Sequence, residues 1–140
     1  MAFAGINYLG LILAAVAGWL AGAAWYTVLA RPWMIAIGKT KSELMTPAGT
    51  PSHVPFVVAF FAQLVMASVL SGIVGHVGSV NAMNGVISGL FAWLGFVITS
   101  LAVNYSFARQ QIMLTLIDGG HWLLVLVLQG AVIGLFGVRG

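Results

Sequence analysis

VPFVVAFFAQLVMASVLSGIVGHV, residues 54–77, decides the fold: from Val54 to Val77 there is no Asp, Glu, Lys or Arg. About 20 such residues suffice to cross a ~30 Å hydrocarbon layer as a helix. Working outward, three more windows meet the same test, roughly Tyr8 to Ala30, Gly85 to Phe107 and Leu116 to Val138. Backbone N–H and C=O groups in hydrocarbon must bond within their own segment, and these stretches are too long and too uniformly apolar for barrel strands, so each is predicted as a helix. The expected architecture is all-α, a four-helix bundle integral to the membrane, filling residues 1–140 as a single domain. Composition agrees: 61% of the chain is hydrophobic and its mean hydropathy is +1.10, which would leave a soluble domain of this length with too little polar surface to cover its core. The first span lies close to Met1, as a signal peptide would. No basic residue precedes it, no small-residue cleavage site stands out, and it ends in the interfacial anchors Trp25, Tyr26 and Arg31, so it is read as a retained helix.

Charge sets the expected orientation. Arg31, Lys39 and Lys41 lie between the first two spans and Arg109 between the last two, whereas the connection from His76 to Asn84 has no charge. Positive loops stay in the cytoplasm, which puts both termini on the extracytoplasmic side, with Arg139 the one dissenting charge. The net charge of +3 reflects these anchors. No basic stripe exists for nucleic acid, and anionic lipid headgroups are the expected counterions. With no cysteine, disulfides, thiolate chemistry, zinc–cysteine sites and iron–sulfur clusters are excluded.

The loop of residues 31–53 is predicted to lie on the cytoplasmic interface. Arg31-Pro32-Trp33-Met34 suits a short interfacial helix, with Pro in a first turn and Trp33 at headgroup level. Thr40-Lys41-Ser42-Glu43 fits a capping box. Thr46 to Ser52, with prolines at 47 and 51, reads as irregular.

Pairs of small residues four apart recur in every span: Gly18 and Gly22, Ser68 and Gly72, Gly85 and Gly89, Gly130 and Gly134. Such pairs share a helix face and let backbones approach closely, which matters where lipid offers no hydrophobic force between helices. Four short helices need only part of this surface, so the excess points to a homo-oligomer or to association with other membrane subunits. Ala17-Gly18-Trp19-Leu20-Ala21 also echoes Phe91-Ala92-Trp93-Leu94-Gly95, and Gly72 to Gly75 echoes Gly130 to Gly134. Two helical hairpins in parallel repeat would produce both echoes.

Polar residues sort by depth. Tyr26, Thr27, His53, Asn104, Tyr105, Arg109, Asp118 and His121 fall near the inner boundary and form a candidate cluster drawn from four spans. Asp118 and His121 are three apart and share a helix face, and a buried carboxylate there needs a partner such as Arg109, His53 or His121. Three readings stand: Asp118 caps the fourth helix and pairs with Arg109, the cluster relays protons, or Asp118, His121 and His53 hold a metal. Deeper lie Gln63, Thr99, Ser100 and Gln129, which either bond between helices or line a path for a polar solute. No charged residue lies near the midplane, which argues against a proton-coupled transporter, and the absence of an acidic residue in the first span sets the chain apart from small multidrug transporters. His76 at the outer end could face a macrocycle, but a bis-histidine haem with His121 would have to span ~30 Å. No cofactor is expected. Nor is there a Ser-His-Asp spacing, metal tetrad or phosphate loop to suggest an enzyme.

Gly22-Ala23-Ala24-Trp25-Tyr26, Arg31-Pro32-Trp33-Met34, Trp93-Leu94-Gly95-Phe96, Gly120-His121 and Gly130-Ala131-Val132-Ile133-Gly134-Leu135 together give a resemblance over nearly the whole chain. It resembles the bacterial domain of unknown function 1761 family. The resemblance implies a small four-helix inner-membrane protein and transfers no catalytic or binding residue. The chain departs from the pattern before the second span, where a Pro/Thr/Ser stretch replaces charged residues. The expected function is that of an oligomeric or accessory membrane subunit, with a homo-oligomeric channel or transporter for a small solute or ion as the alternative.

Overall fold

The computed structural model describes residues 5–137; Arg139, the dissenting charge, lies outside them. Helix α1 (Tyr8–Val28) leads through Leu29 into the short α2 (Ala30–Ile37), and a 3-10 turn (Ser42–Leu44) precedes α3 (Val54–Val77). The third span is built in three pieces: α4 (Ala82–Ala92), a π-turn (Trp93–Val97) and α5 (Ile98–Phe107). Helix α6 (Ile112–Phe136) closes the chain. Four helices are thus long and apolar enough to cross a membrane: α1, α3, the composite span Ala82–Phe107, and α6. No strand occurs among the described residues. The protein is a multi-pass membrane protein. One face carries the basic loops with Arg31, Lys39, Lys41 and Arg109, and is called the basic face below.

Helix α6 is the centre of the bundle, packed against α1, α3, α4 and α5 and touched by α2. Its buried stripe includes Asp118, His121, Val125 and Gln129 at helical spacing toward α1, and Leu126, Gly130 and Gly134 toward α4. A hydrophobic cluster of Ala14, Ala15, Ala67, Leu70, Val74, Leu126 and Ile133 fills the half of the bundle away from the basic face. At that end the Asn7 amide donates to the Phe136 carbonyl at 3.3 Å, tying the start of α1 to the finish of α6.

Glycine closes the contact of α4 with α6. A Cβ on Gly85 would land on the Gly130 carbonyl and one on Gly130 would land on the Gly85 carbonyl, while Gly89 and Gly134 meet the carbonyls of Leu126 and Asn81. Backbone therefore lies against backbone, the geometry in which Cα–H groups contact carbonyl oxygens. Toward the basic face the spacing is set by aromatic side chains instead. Trp93 Nε1 donates to the Gly119 carbonyl at 2.8 Å and Trp25 Nε1 to the Ile117 carbonyl at 3.0 Å, so two indoles brace α6 on either side of Asp118.

The π-turn explains the change. Gly85, Gly89 and Trp93 follow one another at four-residue steps on the α6-facing side. The Ile98 N–H then bonds back to the Trp93 carbonyl, five residues earlier. One extra residue enters the turn, and Ile98 and Tyr105 occupy the side that Ser100 and Asn104 would otherwise take. Beyond the span, Arg109 takes a left-handed φ of 54°, and the Gln110 N–H closes onto the Tyr105 carbonyl at 2.9 Å. Helix α6 starts directly afterwards at Ile112, so Asp118 lies well beyond the first turn and does not cap the helix.

The loop on the basic face is more ordered than its composition suggests. Gly38, at φ 69°, ends α2 in a left-handed cap whose N–H reaches back to Ile35 and Met34. Glu43 accepts from the Thr40 N–H at 2.7 Å, one arm of the expected capping box, while the Thr40 hydroxyl pairs with Ser42 at 3.1 Å. Thr46 and Thr50 then close the irregular stretch through the Thr46 N–H to Thr50 carbonyl bond, at 2.8 Å.

Candidate functional site

The polar side chains of the spans gather into two groups along the α1–α6 contact, and in both a glycine of α1 provides the room. Near mid-bundle Gln129 Nε2 donates to Gln63 Oε1 at 2.6 Å and approaches the Gln63 carbonyl at 3.3 Å. Gln129 is 0% exposed and Gln63 2%. Gly18 backs the pair, since a Cβ there would strike Gln63 Oε1. An amide pair of this kind ties α3 to α6 by a hydrogen bond worth ~1 kcal/mol in a membrane interior. Gln129 Oε1 has no partner, and neither does the buried hydroxyl of Ser88 on α4.

Two turns along α6 toward the basic face sits the second group. Tyr26 donates its hydroxyl to Asp118 Oδ1 at 2.6 Å and Tyr105 donates to Asp118 Oδ2 at 2.5 Å. Asp118 is 8% exposed and His121 6%. The Tyr26 ring also lies against the His121 ring, with centroids 4.8 Å apart, and against Trp33 of α2 at 5.9 Å. The Trp122 ring also lies against the imidazole, with centroids 4.4 Å apart. Gly22 passes so close that a Cβ on it would lie 2.7 Å from His121 Nε2. His121 Nδ1 is buried with no hydrogen-bond partner.

The expected inner cluster is therefore brought together only in part. Tyr26, Asp118 and His121 meet, and Tyr105 completes the carboxylate's shell. His53, Asn104 and Arg109 stand exposed away from it, and no ion pair joins Arg109 to Asp118: the neutral tyrosine hydroxyls take the place that a salt bridge was expected to fill. With His53 outside, Asp118 and His121 alone do not make a metal site, and no group of three or more metal-binding side chains occurs among the described residues. Of the four deep polar residues, Gln63 and Gln129 pair inside. Thr99 and Ser100 are exposed and bond back to their own helix, at Gly95 (2.9 Å) and Phe96 (2.5 Å), because the π-turn rotates them outward.

The small pairs also divide. Gly18 and Gly22 face polar side chains, and Gly85, Gly89, Gly130 and Gly134 face backbone. Ser68 is half-buried and bonds the Leu64 carbonyl of its own helix at 2.7 Å. The Gly72 carbonyl accepts from His76 Nδ1 at 3.0 Å, beside a shallow groove lined by Val69, Ile73 and Val77. Sequence reasoning did not place Trp25 and Trp93 at the site, although both are tryptophans one turn from a glycine on faces that meet α6. Gly95 belongs to none of the small pairs, and a side chain on it would meet nothing within 4 Å.

A family model described as Protein of unknown function (DUF1761) matches residues 9–134. No curated protein and no solved structure matches the chain.

Proposed function

The chain belongs to the DUF1761 family, whose description assigns no activity, and from that premise we propose that it is a subunit of a membrane assembly, joined to a second copy of itself through the outward face of the third span. The observation that carries this reading is Gly95. It sits at the middle of the Ala82–Phe107 span, exposed, with open space where a side chain would be. Thr99 follows one turn later and Ala102 after it, both exposed on the same stripe, and exposed Leu94 and Phe96 flank it. A lipid-facing glycine costs a helix about 1 kcal/mol against alanine, and a small stripe between larger ridges is the surface on which a second helix packs closely. The pairs Gly18/Gly22, Gly85/Gly89 and Gly130/Gly134 are occupied inside the chain, and this stripe is free of them.

The conducting alternative has less support. Gln63 and Gln129 bond each other, and Thr99 and Ser100 lie on the outside, so the four do not share a lumen. Cytoplasmic placement of the basic loops remains our reading of their charge.

The cysteine-free chain makes the test direct. Thr99→Cys or Ala102→Cys is expected to form a disulfide-linked dimer in its native membrane, while Val65→Cys on α3, 63% exposed, is not. Gly95→Leu is expected to reduce the intact particle to a single chain. A single-chain mass in native lipid, with no cross-link from the third span, overturns the reading. A cross-link from Thr99→Cys to a different protein would retain the surface and replace the partner.

A further inference from the structure

Asp118 is the one carboxylate within the spans, and the chain's other acidic residue, Glu43, lies in the loop. No Lys or Arg lies within any span, so no fixed positive charge neutralises it. Two tyrosine hydroxyls satisfy both of its oxygens, but they add hydrogen bonds and no charge, and a net charge in hydrocarbon is costly. One turn along the same helix His121 presents a nitrogen, Nδ1, that is buried and has no partner. Tyr26 touches both groups, its hydroxyl on the carboxylate and its ring on the imidazole.

We propose that Asp118 and His121, enclosed by Tyr26, Tyr105 and the backbone of Gly22, form a proton-binding site. A proton on His121 makes an imidazolium beside the carboxylate and leaves the site neutral. A proton on Asp118 makes the carboxyl a donor, and one of the two tyrosine hydroxyls turns from donating to accepting, which a phenol can do without moving its oxygen. In either form one proton is taken from water and the charge of the site rises by one. The dimensions select the ligand. Both carboxylate oxygens already hold a hydroxyl at 2.6 and 2.5 Å, and a single methyl on Gly22 would collide with the imidazole, so a metal ion or an amine has no room and a proton does.

The titratable groups facing the site are few. Helix α1 contributes Tyr26, α5 contributes Tyr105 and α6 contributes Asp118 and His121 themselves. The aromatic neighbours Trp33 from α2, Trp122 from α6, and Trp25 and Trp93, which brace α6 beside Asp118, do not titrate. From α3 the nearest polar side chain of the interior is the neutral Gln63, and His53, Arg31 and Arg109 are exposed.

Nuclear magnetic resonance on the whole chain in lipid nanodiscs tests the site. Asp118 is the chain's single aspartate, and His53→Asn with His76→Asn, both exposed, leaves His121 as the single imidazole. Labelling Asp carboxyl carbon and His ring nitrogen is expected to show one protonation step that appears in both groups at the same pH. Tyr26→Phe, which keeps the ring against His121, is expected to move the midpoint by about tenfold in proton concentration, as loss of a direct hydrogen bond to one protonation state does. Asp118→Asn is expected to remove the carboxyl signal and displace the His121 step. Spectra of Asp118 and His121 that stay unchanged over the whole pH range in which the chain is folded overturn the proposal. So does a His121 step whose midpoint Tyr26→Phe leaves in place, and neither result depends on the Asn variant folding.

Discussion

One methyl group has opposite consequences at Gly85 and Gly95, ten residues apart on the same span. At Gly85 it would enter the carbonyl of Gly130, and since backbone cannot swing aside, Gly85→Ala is expected to destabilise the bundle by roughly 1–3 kcal/mol, as overpacking does. At Gly95 it meets open space, so Gly95→Ala should leave a lone chain unharmed or steadier by up to about 1 kcal/mol. Unfolding of both variants by detergent titration checks the contrast. The amide pair gives a second prediction. Gln63→Leu leaves the Gln129 amide buried without its acceptor and should cost about 1–3 kcal/mol, while adding Gln129→Leu should recover part of that loss. A double-mutant cycle in the same assay reads it, and strictly additive losses would refute a direct bond. The sequence alone showed that Gln63 and Gln129 lie deep and that seven glycines and Ser68 form small pairs. It could not show that Gly18 makes room for an amide and Gly85 for a carbonyl, because a glycine's neighbours depend on the rotation of the facing helix, which hydropathy does not encode.

Among the elements the third span departs most from expectation. Length and hydropathy gave it as one helix, and nothing in Trp93-Leu94-Gly95-Phe96-Val97 announced a π-turn apart from a glycine in its midst. That one extra residue displaced Ser100 and Asn104 from the interior and put Tyr105 there. Deleting Leu94 is expected to restore a regular helix and turn Tyr105 away from Asp118. The loss of the Tyr105 hydroxyl bond would be read in the Asp118 carboxyl resonance, and an unchanged resonance would mean the turn does not set the register. The end of this span also carries strain that a short substitution relieves. Arg109 holds a left-handed backbone, which costs an ordinary side chain ~1–2 kcal/mol, so Arg109→Gly should raise stability by up to about 1 kcal/mol in the same unfolding assay. Helix α6 begins at Ile112, ahead of the Leu116 read from hydropathy, because a helix can extend past the apolar core where headgroup water satisfies its first N–H groups. The short helix α2 was legible from Pro32 and Trp33, whose chemistry is local.

At the scale of the molecule, four spans and a membrane-embedded helical bundle followed from composition and charge-free length, since lipid leaves the backbone few choices. The centrality of α6 did not, although α6 carries Asp118, His121, Gln129 and four glycines. The division of the bundle into two halves has a consequence for the bilayer itself. Where Gly85 and Gly89 meet α6 the backbones touch, and where Trp25, Trp93 and Tyr105 intervene they are held apart, with α2 added at the same face. These contacts are expected to taper the bundle, with its broader end among the basic loops. Lipids beside the narrow end must splay to fill the difference, and that packing stress falls when the leaflet on the basic side is convex. Curvature of the surrounding membrane thus becomes a variable that the glycine contact sets, and reconstituted protein should partition toward highly curved vesicles when its basic face lies on the outside.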